Sequence, residues 1–158
     1  MNKKFYIADW HYGHANIMAF DNRPFKTLEE MNETLVERWN SKFVKVTEYL
    51  EVEDGDKRVV LCHYPIPCFK NHFYGWYHLY GHVHNSFEWN MMEHDKYLMQ
   101  ELYGHKCQMY NVGAMLPYMD YTPRTLEQII LLSDGWREVD MSSVDKNGVT
   151  QTDAAQGM

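Results

Sequence analysis

Along this chain, apolar and polar positions alternate in some stretches and recur at helical spacing in others. The switches between the two patterns mark out a series of short elements. Residues 4–8, KFYIA, form a brief apolar run that predicts a buried strand, with Asp9 directly behind it. Residues 10–26 contain Gly13 and Pro24 and read as a loop with about one helical turn. Leu28, Met31, Leu35 and Trp39 then recur every three or four positions, which predicts a helix over 28–41. Thr27 and Glu30 have the spacing of a capping box at its start. Residues 45–52 and 58–62 are rich in β-formers and flank Asp54-Gly55, the signature of a hairpin. Residues 76–80, WYHLY, and 107–112, CQMYNV, predict two further short strands. After Pro123, the pair Thr125/Gln128 again has capping-box spacing, while LEQIILL itself fits a short helix or a strand equally well. Asp134-Gly135 marks a final turn. From Ser142 the chain turns polar and predicts a flexible tail, so the pattern describes one domain over 1–141 and a tail over 142–158.

Composition narrows the functional classes. A net charge of −7 disfavours stable binding to nucleic-acid backbones. No run approaches the roughly 18 apolar residues of a membrane span, and the N-terminal FYIA is too short for a signal peptide. Three cysteines, Cys62, Cys68 and Cys107, without a C-x-x-C pair fit a reducing cytoplasm better than a disulfide framework. Nine histidines exceed what a domain of this size needs, and histidine is the commonest metal ligand.

The histidines are not scattered evenly. Asp9 and His11 follow the first predicted strand, His63 follows the second hairpin strand, and His82 and His84 follow WYHLY. Ligands in α/β sheets collect just beyond the carboxyl ends of strands. In D-x-H and H-x-H, an extended backbone would place both side chains on one side, and Gly81 would permit a tight turn at the rim. Mixed carboxylate and imidazole donors suit Mn, Fe, Zn, Ni or Co better than Ca. Two such ions roughly 3.5–4 Å apart can clamp a phosphate ester.

YIADWHYGHANIMAFDNRPF, LCHYPI, YGHVHN and YNVGAMLPYMDYTPRTLEQI, occurring in that order, resemble the calcineurin-like metallophosphoesterases, in particular small bacterial and phage members. The resemblance covers most of residues 4–140. It implies an α/β fold, a sandwich of two β-sheets flanked by helices, and a metal centre at the strand ends. It implies that Asp9, His11 and His84 hold one divalent transition metal and that His63 and His82 hold another. It also places His14, Asn16 and Arg23 at the mouth of the site as substrate-binding candidates; a guanidinium suits phosphate. The implied substrate is a phosphate mono- or diester, a small molecule or nucleotide-like compound.

The family's G-D-x-x-D and G-N-H-D/E motifs have no counterpart between the first helix and LCHYPI. Gly55-Asp56 continues neither motif and is explained by the hairpin. Without the bridging aspartate, two cations would repel each other with little offset, so one or two ions remain open. Lost strands would leave sheet edges that a homo-oligomer could cover. The sequence therefore supports two functions, a metal-dependent phosphoesterase and a catalytically impaired metal- or ligand-binding relative.

Overall fold

The computed structural model describes residues 3–39 and 48–134, which form a mixed α/β domain. Its elements are α1 (Asn16–Phe20), α2 (Leu28–Trp39), β1 (Tyr49–Asp54), β2 (Lys57–Cys62), β3 (Tyr77–Tyr80), α3 (Phe87–Tyr103), β4 (Met109–Asn111) and α4 (Leu126–Asp134). A 3-10 turn, His72–Tyr74, precedes β3. The strands make one sheet in the order β1-β2-β3-β4. β1 and β2 are antiparallel, with Asp54 opposite Lys57, and Gly55-Asp56 is the two-residue turn. Gly55 takes φ +64°, as the first loop residue of a primed hairpin turn does. β2, β3 and β4 run parallel, so their carboxyl ends lie on one side of the domain.

The predicted strand over 4–8 is reduced to two isolated bridges. Tyr6 pairs antiparallel with Arg124, and Ala8 pairs parallel with Gly113. Ala8 N donates to Val112 O at 2.8 Å and Ala114 N donates to Ala8 O at 2.9 Å. This short segment still delivers Asp9 to the same rim as the ends of β2 and β3.

Val59, Val60, Leu79, Tyr80, Met109 and Tyr110, neighbours along their strands, are buried on the two faces of the sheet, in one cluster with Trp89 and Met99 of α3 and Leu126 and Ile129 of α4. A second cluster joins Ile17 of α1, Met31 and Leu35 of α2, Ala114 and Tyr121. It holds the two N-terminal helices beside the rim. LEQIILL is a helix, with both halves of the capping box formed. Gln128 N donates to Thr125 Oγ1 at 3.3 Å, and Thr125 N donates to Gln128 Oε1 at 3.0 Å. At α2 the box is displaced. Glu30 N donates to Thr27 Oγ1, but the Glu30 carboxylate accepts from Lys26 N.

α3 is the longest helix described, and the hydrophobic pattern above assigns it no element. Ser86 caps its start by accepting from Glu88 N, and Gly104 ends it at φ +68°. The predicted helix residues 40–41, strand residues 45–47, the turn at Asp134-Gly135 and the polar tail from 142 fall wholly or partly outside the described residues. No helix among the described residues is long and apolar enough to cross a membrane.

Candidate metal centre

Asp9, His11 and His84 converge. One donor atom from each lies within 4.8 Å of the other two. Asp9 is buried and both histidines are half-buried. His11 and His84 face each other with ring centroids 5.3 Å apart. His11 Nε2 is buried and has no hydrogen-bond partner. A buried ring nitrogen left without a partner is costly, and a cation at the centre of this donor set would relieve it. Two imidazoles and one carboxylate suit a divalent transition metal and leave coordination positions open.

The convergence is not produced by strand alternation, as the spacing of D-x-H and H-x-H suggests. Asp9, His11, His82 and His84 all have positive φ, at 54°, 51°, 67° and 49°. Asp and His tolerate this region better than most residues, yet each such residue stores about 1 kcal/mol or more. Four of them in two short segments require strong local restraint, and the restraints are visible. His82 N donates to both carboxylate oxygens of Asp9, at 3.1 and 3.0 Å. The buried Asn111 donates from Nδ2 to His84 O at 3.0 Å and accepts from Gly113 N at 2.9 Å.

Gly81 contributes space rather than a turn. A Cβ there would lie 2.5 Å from Ala8 Cβ and 2.5 Å from Asp9 Oδ2. Gly113 does the same on the other flank, where a Cβ would lie 3.2 Å from Asp9 Oδ2. The D-x-H loop is also tied to α2. Trp10 stacks on Trp39 at 4.3 Å, and Gly13 N donates to Asn32 Oδ1 at 2.9 Å.

Arg23 does not meet the solvent from which a substrate would come. Its side chain is 0% exposed and forms an ion pair with Asp21 at 3.0 Å, itself 2% exposed. Nη2 donates to Asp9 O at 2.8 Å and Nη1 to Trp10 O at 3.0 Å. The substrate-binding role expected for Arg23 is therefore replaced by a positioning one, because its donors are already engaged by the loop that carries two candidate ligands.

Asp21, which the sequence did not single out, completes the arrangement. Its Oδ1 lies 2.6 Å from His84 Nδ1. The carboxylate holds the proton on Nδ1 and leaves Nε2, 3.6 Å from Asp9 Oδ1, as the free donor. Burial works against a charge on His84, but the hydrogen bond and charge of Asp21, with Asp9, outweigh it and raise its pKa. At His11, burial and then the cation of Arg23 lower the pKa and favour the neutral, ligating form.

His63 and His82 stand outside this group of three. Their rings are 5.3 Å apart, and His63 Nε2 is 3.8 Å from Asp9 Oδ1. Both are exposed. Among the described residues they belong to no group of three ligand-type side chains within mutual reach. His14 and Asn16 are exposed, His14 with its ring 5.6 Å from that of His11 and Asn16 at the start of α1. Asp56 is in the hairpin turn, exposed and paired with Lys57.

Comparison with known proteins reaches a small part of the chain. The "Uncharacterized protein MJ1445" of Methanocaldococcus jannaschii is 51% identical over 41 residues, which is 26% of this chain and 23% of that protein. The match thus spans about a quarter of each. No family model and no solved structure matches the chain.

Proposed function

We propose that this protein is a metal-dependent phosphoesterase, built as a reduced form of the calcineurin-like sandwich, with its principal metal site at Asp9, His11 and His84. The observation that carries the metal site is the strained, buttressed donor set around the partnerless His11 Nε2. The reaction class comes from the resemblance of the segments that supply those residues. A divalent metal such as manganese held there would supply Lewis acidity toward a phosphoryl oxygen and a water acidified for attack. The chain's own residues do the positioning. Asp21 fixes the His84 tautomer, Arg23 holds the backbone of Asp9 and Trp10, and His82 N fixes the Asp9 carboxylate.

A second reading is a metal- or ligand-binding relative without turnover. It is favoured by the exposed His63/His82 pair, which has no carboxylate of its own among the described residues. Reconstitution with manganese, removal of free ion and metal analysis separate the readings when run beside turnover of a generic phosphodiester. The phosphoesterase reading expects at least one tightly held ion per chain and turnover that His84→Ala abolishes. Bound metal with no turnover leaves the second reading. A protein that holds no metal defeats the phosphoesterase reading and leaves, of the second, only a ligand-binding relative.

A further inference from the structure

We infer that the substrate of this site carries a planar aromatic group close to its phosphate, held by Phe20 and Tyr64; this rests on the phosphoesterase reading above. Phe20 ends α1 and is 75% exposed, yet its ring stands edge-on to His84, with centroids 5.5 Å apart and planes at 89°. Tyr64 follows His63 and is 57% exposed. It lies 4.4 Å from the His82 ring and 5.2 Å from that of His63. Single exposed apolar side chains need no explanation. These two each rest on a different member of the histidine cluster and leave most of their surface open beside it.

The charge around the centre makes such rings useful. The protein is acidic, and the two carboxylates at the centre, Asp9 and Asp21, repel an anion before a metal is bound. Arg23, the guanidinium beside them, is engaged within the fold. Contacts that need no positive charge then add to recognition beyond the metal. Ring stacking is such a contact, and it tolerates many substituents because every base or aryl group has a π-face. A nucleoside phosphate and an aryl phosphate share this chemistry. Ribose 5-phosphate has the phosphate and the sugar but no ring system.

The test measures affinity, not turnover. Manganese-loaded protein is titrated with AMP, phenyl phosphate and ribose 5-phosphate by calorimetry. Stacking on one or two rings predicts that AMP or phenyl phosphate binds about 10-fold or more tighter than ribose 5-phosphate. Preference for AMP alone assigns a nucleotide, and equal preference for phenyl phosphate assigns an aryl group adjacent to the ester. F20S combined with Y64S should bring all three ligands within about two-fold of one another while manganese affinity stays unchanged. Equal affinities in the wild type, or a preference that survives both substitutions, overturn the inference and leave the metal reading intact. Failure to bind manganese overturns the metal reading itself and is seen before any ligand is added.

Discussion

At the scale of single residues, the proposed centre is buttressed by a carboxylate outside the Asp9, His11 and His84 group. Asp21 connects the Arg23 cation to the His84 imidazole, and Arg23 in turn holds the Asp9 and Trp10 carbonyls. Asp21→Asn keeps the shape and removes the charge. The buried guanidinium then lacks a counter-ion, which costs about 3 kcal/mol or more of stability. His84 also loses the partner that fixes its proton on Nδ1. Metal affinity in the folded protein should drop about 10- to 100-fold, and the 15N spectrum of the His84 ring should lose its single Nδ1–H tautomer. Unchanged manganese affinity in folded Asp21→Asn would reduce the Asp21–His84 contact to a structural one.

At the scale of elements, the parallel ends of β2 and β3 and the segment before Asp9 meet across one glycine. Replacing Gly81 with Ala puts a methyl group against Ala8 Cβ and the Asp9 carboxylate, neither of which has a long flexible stem to move. Overpacking of this kind costs about 1–3 kcal/mol. Gly81→Ala should therefore lower the urea midpoint and weaken manganese binding together. Loss of stability with metal affinity intact would mean that Asp9 relocates without consequence. This glycine also shows where the sequence could be read and where it could not. Gly81 was read as a turn and is instead a spacer, while Asp9, His11 and His84 stood out as candidates because strand ends and short i, i+2 spacings are local features. The backbone conformation that makes them converge was not legible, since positive φ at four non-glycine residues is imposed by partners far along the chain. Asp21 and Asn111 escaped notice for the same reason. Each acts through a contact 63 or 27 residues away, and neither stands in a pattern of its own. The hairpin and α2 were read from turn chemistry and periodicity. α3 was not, although Ser86 and Gly104 bracket it, because Trp89, Met92, Met99 and Tyr103 are interrupted by Lys96 on its inner side, where the ammonium sits 4.8 Å from the Tyr110 ring centre.

At the scale of the whole molecule, the sheet that carries the centre is locked by an uncharged histidine. His78 of β3 is fully buried. Its Nδ1–H donates to Val60 O on β2, at 3.1 Å, and its Nε2 accepts from Ile66 N, at 3.0 Å. Both ring nitrogens are thus used in the neutral form, and a second proton would have to displace the Ile66 N–H. Burial lowers the pKa to about 4 from an ordinary 6.5, against the smaller raising effect of the backbone bonds. The folded value lies below the unfolded one, so the unfolded chain takes up the proton first. Stability from this residue is fully present above pH 6.5, falls as pH drops through 6.5 toward 4, and is lost by about 3 kcal/mol at the lower end. His72 and His11, whose pKa values burial also lowers, tilt stability the same way, while His84 tilts it the other way. The comparison that isolates His78 is therefore with His78→Gln, whose amide can donate to Val60 O and accept from Ile66 N without titrating. Urea unfolding of both proteins in metal-free buffer from pH 7.5 to 4 should give curves that converge as pH falls, because only the wild type loses the His78 contribution. Curves that stay parallel would show that His78 takes a proton in the folded state, and that β2 and β3 are held together by something other than its neutral ring.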